Sequence, residues 1–166
     1  ASRLTPIDND KFSISVDFSQ FDSNLPDWLI NDAFMILKTW FTFAGDDSRI
    51  YSIVRNYFIN TPIVMPDCGI YKKDHGIPSG SYFTQLVGSI CNFIIMNYCV
   101  ERETGHSIKL NKQLFLGDDS VFSLSHGVSV RNLSLIAKET FNSIIHPEKT
   151  MVSFNGRDPV HFLGHS

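Results

Sequence analysis

Two apolar segments on either side of an acidic turn place the strongest constraint on how this chain can fold. Residues 113–116 and 121–124 are mostly apolar, and Gly117-Asp118-Asp119-Ser120 lies between them. Apolar segments of this length, joined by a short segment with glycine and aspartate, predict two strands around a tight turn. Two like charges are therefore expected side by side at the end of a strand pair.

A second predicted strand carries another carboxylate. Between residues 11 and 19, apolar side chains alternate with polar ones, which is typical of a strand with one buried face. Asp17 falls on the polar face, close to the end of this strand. A carboxylate in that position can meet solvent or a metal ion.

Helical and strand patterns alternate along the rest of the chain. Helices are expected over about 26–45, from about 47, over about 82–103 and over about 130–141. Short strands are expected at about 63–65, 70–72, 143–145, 150–154 and 160–163. This order predicts an α+β fold, in which helices pack on one face of an antiparallel sheet.

Composition excludes several classes of protein. Of the 166 residues, 43% are hydrophobic and 19% are charged, which excludes a disordered or low-complexity chain. The formal net charge of -3 lacks the basic excess of a self-sufficient nucleic-acid binder. Three cysteines without a paired motif predict reduced core residues, and neither secretion nor a membrane span is expected. The chain starts without Met and ends just after an apolar run, so it is expected to be part of a longer protein.

The acidic turn has two possible explanations. Gly-Asp-Asp-Ser is favourable turn chemistry by itself. However, adjacent carboxylates repel each other unless a cation neutralises them, and Asp17 could lie beside them at the same sheet edge. Three hard oxygen donors suit Mg²⁺ or Mn²⁺. Two such ions can hold the attacking and leaving oxygens of an in-line phosphoryl transfer.

Three short motifs resemble those of viral RNA-dependent RNA polymerases, in that family's order. Residues 17–22, with Asp at both ends, resemble the first palm motif. Residues 79–84, followed on the same predicted helix by Ser89 and Asn92, resemble the second, and residues 116–120 resemble the third. Residues 76–86 and 120 are most similar to polymerases of partitivirus-type double-stranded RNA viruses. The resemblance covers residues 13–166.

The resemblance implies the fold and the metal ligands. It implies a polymerase palm with an RRM-like core over residues 1–166, with a small fingers-type insertion at about 45–75. The fingers and thumb proper are expected to be absent from this chain. It also implies two Mg²⁺ or Mn²⁺ ions held by Asp17, Asp118 and Asp119, with the backbone carbonyl of Phe18 completing the coordination.

The resemblance further implies how the incoming nucleotide is recognised. Asp22 and Asn92, with Ser79 or Thr84, are expected to contact the ribose, and Gly80 to form a flexible loop with Ser79. A carboxylate and an amide can satisfy the ribose 2′-hydroxyl, which both donates and accepts hydrogen bonds. An enzyme with such a site prefers NTPs to dNTPs, because a missing hydroxyl leaves its partners unpaired.

Two weaker correspondences and one departure complete the comparison with the family. Lys149 matches a lysine proposed to protonate the leaving pyrophosphate, although a solvated surface lysine is an equally good explanation. Phe162, Leu163 and Gly164 resemble a motif that contacts the primer end. Gly88 stands where many relatives carry Asn, which indicates close packing of the helix against the sheet.

The expected function is RNA-directed RNA polymerisation, in which an RNA 3′-OH attacks the α-phosphate of an NTP during viral genome replication and transcription. The expected partners are an RNA template, a primer or nascent strand, NTPs and the rest of the polymerase. The capsid protein is a further candidate, a membrane is not expected, and the expected location is the host cytoplasm or the virion interior. Two alternatives stay open: a non-catalytic palm fragment or RNA-contacting module, inactive without fingers and thumb, and a two-metal nuclease or phosphatase.

Overall fold

The structure, a computed structural model, describes residues 12–40, 47–60, 63–64, 70–71, 76–77 and 82–154. The strands are β1 (Phe12–Val16), β2 (Phe18–Ser19), β3 (Ile63–Val64), β4 (Ile70–Tyr71), β5 (Gln113–Leu116), β6 (Asp119–Leu124), β7 (Ile144–Ile145) and β8 (Met151–Phe154). The α-helices are α1 (Phe21–Asn24), α2 (Asp27–Thr39), α3 (Asp47–Asn60), α4 (Tyr82–Thr104) and α5 (Val130–Phe141). A 3-10 turn over Leu110–Lys112 precedes β5.

A four-stranded antiparallel sheet forms the centre of the fold. Its strand order is β5-β6-β1-β8, so β1 lies between the acidic hairpin and the edge strand β8. Two smaller antiparallel pairs join β2 to β7 and β3 to β4. The predicted α+β fold with an antiparallel sheet is confirmed, and the sheet sets the carboxylate-bearing ends of β1 and β6 side by side.

The strand predicted over residues 11–19 is interrupted at Asp17. Its first part, β1, pairs with β6 and β8, whereas β2 pairs with β7 in a different sheet. At the break, the backbone carbonyl of Asp17 accepts a hydrogen bond from the His146 N–H at 2.9 Å. Asp17 therefore lies at a bend between two sheets, which alternation of side chains by itself does not reveal.

The hydrophobic core lies between the sheet and the helices. Ile14 of β1 and Phe122 of β6 are directly opposite each other and completely buried. Helix α4 runs beneath the sheet and contacts α2 and α5 as well as β5 and β6. Burying such side chains supplies most of the favourable free energy of folding. The core thereby fixes α4 relative to the acidic hairpin.

Helix α4 is the longest helix that the structure describes. By length and composition, its segment Phe83–Thr104 would be able to cross a membrane, yet 56% of its most apolar stretch is buried inside the protein. The core helix of a compact domain meets the same criteria. The apolar side chains of α4, such as Ile95 and Met96, are used in packing within the fold.

The two described cysteines, Cys91 and Cys99, are free, buried and located on α4. Burial raises the pKa of the Cys99 thiol to about 12. Burial also raises the pKa of the Cys91 thiol, and the negative charges of Asp32 and Asp22 raise it further. Both side chains are therefore thiols of low reactivity, as the prediction of reduced core cysteines requires. Cys68 lies outside the described residues.

Candidate active site

The acidic turn is a two-residue hairpin loop. Leu116 pairs with Asp119, which leaves Gly117 and Asp118 as the central residues. Gly117 has a φ of +60°, while Asp118 is not among the residues with positive φ. A glycine with positive φ at the first central position is typical of a type II′ turn. Strand β6 therefore begins at Asp119, two residues earlier than expected, and Asp118 projects from the tip.

The end of β1 is fixed by the chain segment that leads into β8. The His146 N–H bonds to the carbonyl of Asp17, and the carbonyl of His146 accepts hydrogen bonds from the backbone N–H groups of Lys149 and Thr150. This turn lies directly before β8, which pairs with β1. It therefore holds the exposed Lys149 close to Asp17.

An open cavity of about 280 Å³ lies where these two strand ends meet. Its lining residues are Ser15, Val16, Asp17, Phe18, Asp118, Asp119, Lys149 and Met151. The structure thus brings together every predicted metal ligand and the predicted general acid. Ser15 and Met151 were missed by sequence reasoning, because their place follows from the β1–β8 register, in which they are direct partners.

The donor atoms of this cavity suit a hard divalent cation. Carboxylates and a backbone carbonyl are oxygen ligands of the kind that Mg²⁺ and Mn²⁺ prefer. Across the described ranges, however, no three His, Cys, Asp or Glu side chains lie close enough together to hold a metal ion. The chemistry of Asp17, Asp118 and Asp119 fits such an ion, and binding would have to draw these side chains together across the cavity that they share.

Asp22 lies near the acidic turn although it belongs to α1. Burial raises the pKa of its half-buried carboxyl group, and the negative charge of Asp118 raises the pKa further. The second effect requires the two carboxyl groups to be close in space. Asp22 does not line the cavity itself. The predicted ribose contact and the predicted metal ligand are therefore neighbours.

Two other predicted ribose contacts, Thr84 and Asn92, are buried on α4. The side-chain amide nitrogen of Asn92 donates hydrogen bonds to the backbone carbonyls of Gly117, at 3.1 Å, and Asp119, at 3.4 Å. Its Oδ1 atom has no hydrogen-bond partner within the part of the chain that the structure describes. Neither residue lines the cavity, and their contact with ribose stays a prediction.

Several predicted site residues lie outside the described residues, namely Ser79, Gly80, Phe162, Leu163 and Gly164. The described Gly76 and Ile77, just before this loop, are held against α1. The Gly76 N–H donates to the carbonyl of Leu25 at 2.6 Å, and the Ile77 N–H donates to the carbonyl of Asp22 at 2.8 Å. The chain that leads to Ser79 is thus anchored beside Asp22.

Sequence reasoning did not assign a specific role to Ser89, which contacts the acidic turn directly. Its Oγ accepts a hydrogen bond from the Gly117 N–H at 2.8 Å. The signal in the sequence is a polar or small stripe at helical spacing, formed by Gln85, Gly88, Ser89 and Asn92, on an otherwise apolar helix. Such a stripe indicates that this face of α4 meets polar backbone rather than apolar side chains.

Comparisons with known proteins show the family of this chain. A sequence model of the family described as viral RNA-dependent RNA polymerase matches residues 7–166. The RNA-directed RNA polymerase of Cryptosporidium parvum virus 1 (strain KSU-1) is 41% identical over 105 residues, which cover 63% of this chain and 20% of that protein. The genome polyprotein of human hepatitis A virus genotype IB (isolate MBB) is 29% identical over 130 residues, or 76% of this chain and 6% of the polyprotein. The chain thus spans at most about a fifth of the length of these relatives.

Two solved structures share the fold. The crystal structure of the RNA-dependent RNA polymerase of a human picorbirnavirus aligns with a TM-score of 0.70 and 21% identity, over 86% of this chain and 26% of that one. Its insertion loop deletion mutant aligns with a TM-score of 0.74 and 20% identity, over 92% of this chain and 29% of that one. At this level of identity the likeness establishes the fold.

Proposed function

The chain belongs to the viral RNA-dependent RNA polymerase family, as its three motifs predicted, and from this we propose that it is the palm that carries the catalytic centre of such an enzyme. The proposed reaction is attack of an RNA 3′-OH on the α-phosphate of an NTP, directed by an RNA template. The observation that carries the proposal is that Asp17, Asp118 and Asp119, from two different strand ends, line one open cavity.

The three carboxylates are proposed to hold two Mg²⁺ or Mn²⁺ ions, with the Phe18 carbonyl as a further ligand. When bound, such ions stabilise the charge that develops on the phosphate oxygens and lower the pKa of the attacking hydroxyl. The chain itself supplies the alignment. Backbone pairing of β1 with β6 fixes the spacing of the two strand ends, and the open side of the cavity leaves room for the triphosphate.

Selection of ribose is proposed for Asp22, Asn92, Ser79 and Thr84, with Gly80 giving its loop the freedom to move. Asp22 is supported by its proximity to Asp118, and Asn92 by an Oδ1 atom that no described group satisfies. Such an atom can accept a hydrogen bond from a ribose 2′-OH, which a deoxyribose lacks, once it is exposed to the cavity, because Asn92 is completely buried in the chain by itself. Asp22→Ala is expected to bring NTP and dNTP incorporation closer together. An unchanged preference for NTPs would show that Asp22 does not select ribose.

Lys149 is proposed as the general acid that protonates the leaving pyrophosphate. It is exposed and lines the cavity, so its ammonium group can reach a bound triphosphate. General acid catalysis contributes at least about 100-fold in typical enzymes. Lys149→Ala should therefore slow incorporation by about that factor, whereas Lys138→Ala, which removes another exposed lysine, on α5, should leave it unchanged. Equal rates in both variants would show that Lys149 is a solvated surface residue and not a general acid.

The remaining proposals concern regions and partners outside the described site. Phe162, Leu163 and Gly164 are proposed to contact the primer end, and residues of about 45–75 to form a fingers-type insertion. The proposed partners are template and primer RNA, NTPs and the rest of the polymerase, with the capsid protein as a further candidate and no membrane. The proposed location is the host cytoplasm or the virion interior.

The proposed function is tested by primer extension on an RNA template with the polymerase that contains these residues. Asp118→Ala and Asp119→Ala together are expected to abolish extension, while His126→Ala, at the opposite end of the sheet, should not affect it. Extension that survives the double substitution would overturn the assignment. The same assay with the 166-residue chain alone tests whether it is an inactive palm fragment, which its share of the relatives' length favours.

A further inference from the structure

Helix α4 holds the backbone of the acidic turn through two side chains. Ser89 Oγ accepts a hydrogen bond from the Gly117 N–H at 2.8 Å. Asn92 Nδ2 donates to the carbonyl of Gly117 at 3.1 Å and, over a longer distance of 3.4 Å, to the carbonyl of Asp119. Both polar backbone groups of Gly117 are therefore bonded to one helix, and so is the carbonyl group on the other side of Asp118.

These bonds satisfy groups that the hairpin cannot satisfy. In a two-residue turn, the central peptide groups lie outside the ladder of strand-to-strand hydrogen bonds. A buried backbone N–H or C=O without a partner costs about as much as a lost hydrogen bond. Ser89 and Asn92 provide partners for Gly117 from a direction that the strands do not occupy.

A hydrogen bond within α4 orients the hydroxyl group of Ser89 toward the turn. Its proton is donated to the carbonyl of Gln85, one helical turn earlier, at 2.6 Å. A serine hydroxyl has one proton and two acceptor lone pairs, so a lone pair is left for the Gly117 N–H. Threonine can reproduce this arrangement, since the same back-bond to the preceding turn is common for both residues, whereas alanine removes it.

Gly88 lies at the contact between the helix and the turn. A Cβ atom at Gly88 would lie 3.6 Å from Gly117 Cα and 3.6 Å from Cε1 of Phe21, which is ordinary van der Waals contact. Alanine would therefore fit at this position, and the contact itself shows that α4 packs directly against the turn. The position where many relatives carry Asn is used here for contact between a helix and a hairpin.

We infer that Ser89 and Asn92 are positioning residues that fix the conformation of the acidic turn and thereby hold Asp118 and Asp119 at the cavity. Neither residue lines the cavity, so they act through the backbone of the turn. The catalytic consequence rests on the proposed function, whereas the effect on the turn itself does not. The bonds to the turn use only the side-chain nitrogen of Asn92, so they do not occupy the Oδ1 atom proposed for the ribose contact.

The test compares Ser89→Ala with Ser89→Thr and with a matched control. Thr104→Ala removes a similar pair of bonds at the other end of the same helix, because Thr104 Oγ1 donates to the carbonyl of Val100 at 2.8 Å and accepts from the His106 N–H at 3.1 Å, away from the acidic turn. Hydrogen exchange of the Gly117 amide in this chain reports the turn directly. The buried Ile95 amide on the same helix reports global opening.

The bond to Ser89 is expected to protect the Gly117 amide by about tenfold, the equivalent of one typical hydrogen bond. Ser89→Ala should speed exchange at Gly117 by that factor relative to Ile95, Ser89→Thr should restore it, and Thr104→Ala should not change it. In the complete polymerase, Ser89→Ala should lower kcat by about tenfold with the KM for NTP unchanged, and threonine should again restore the rate.

Unchanged relative exchange at Gly117 in Ser89→Ala would overturn the inference, and so would an equal loss of kcat in Thr104→Ala. A global effect, in which Gly117 and Ile95 exchange faster by the same factor, would overturn it as well. If even the unsubstituted polymerase incorporates no NTP, the proposed function fails. The exchange measurement then still decides whether Ser89 holds the turn.

Discussion

The two ends of the four-stranded sheet differ in how their polar groups are used. At one end, Asp17, Asp118 and Asp119 line an open cavity of about 280 Å³. At the other end, a cavity of about 40 Å³ lies beside His106 and His126, whose rings stack with centroids 4.7 Å apart. Both ends are rich in polar side chains. The difference lies in what those side chains contact.

At the histidine end, neighbouring polar groups bond to one another. Ser125 Oγ lies 2.8 Å from His126 Nδ1, Thr104 Oγ1 accepts from the His106 N–H at 3.1 Å, and Ser107 Oγ donates to Glu101 at 3.3 Å. At the acidic end, α4 bonds to the backbone of the acidic turn, and the carboxylates line a cavity that a ligand can reach. We therefore expect a catalytic site at a polar cluster when other residues hold its backbone and its charged atoms face an open cavity.

The largest effect is expected from removing a charge at the acidic end. Asp17→Asn should lower ribonucleotide incorporation by about 1,000-fold, because about 4 kcal/mol of transition-state stabilisation depends on the charge at this site. His126→Asn makes a change of similar size at the other end and should leave the rate within about twofold. Steady-state primer extension measures both rates. Similar rates in the two variants would show that the two ends of the sheet do not differ in function.

Both ends of the sheet share one core, so a cavity created there by substitution should destabilise both ends equally. Phe122 is completely buried in β6, midway between the acidic turn and the histidine pair. Phe122→Ala is expected to lower the free energy of unfolding by about 3 to 5 kcal/mol, which urea denaturation measures. Hydrogen exchange should then accelerate at both ends of the sheet. Acceleration at one end alone would show that the ends unfold independently.

Two glycines permit a matched comparison of the ends. Gly117 in the acidic turn has a φ of +60°, and Gly105, next to His106, has a φ of +73°; a Cβ atom would meet no atom closer than 3.9 Å at Gly117 and none within 4 Å at Gly105. Alanine at either position should cost about 1 to 2 kcal/mol of stability, because L-residues disfavour this conformation. Only Gly117→Ala is expected to slow catalysis as well. Equal rates in the two variants would contradict a special role for the turn.

The smallest effect concerns the pH dependence of stability through Asp22. Because burial and then Asp118 raise its pKa in the folded state, the folded protein binds this proton more tightly than the unfolded chain does. The ionised group therefore subtracts stability at neutral pH, and that loss disappears as the pH falls below the ordinary range of aspartate.

Asp22→Asn should accordingly be slightly more stable than the parent chain at neutral pH and should lose this advantage in acid. Denaturant unfolding at both pH values measures the difference. An advantage of the same size at both pH values would show that the titration of Asp22 is not its source. Asp118→Asn should lower the pKa of Asp22, which nuclear magnetic resonance titration can follow.

Much of this site was predictable because local patterns encode it. Alternation placed Asp17 near a strand end, and glycine with aspartate between apolar runs placed Asp118 and Asp119 in a tight turn. What escaped prediction depends on long-range register. The break of the strand at Asp17 follows from pairing with β7, and the place of Met151 in the cavity follows from pairing with Ser15, more than 100 residues away in the chain.

The role of Ser89 escaped prediction for a related reason. A serine on a helix commonly bonds to the carbonyl one turn earlier, as Ser89 does with Gln85. Its second bond requires the hairpin to lie against that side of the helix. The spacing of Gln85, Gly88, Ser89 and Asn92 could have indicated a polar stripe, but the identity of its partner depends on how α4 crosses the sheet.

The central claim is that the end of β1 and the turn before β6 form one catalytic centre. A double-mutant cycle of Asp17→Asn and Asp118→Asn, read as the rate of ribonucleotide incorporation by the complete polymerase, tests it directly. The account predicts that the double variant is about as slow as the slower single variant, since residues that act as a unit lose their contribution once. A double variant whose loss equals the product of the two single losses would show two independent sites and contradict the account.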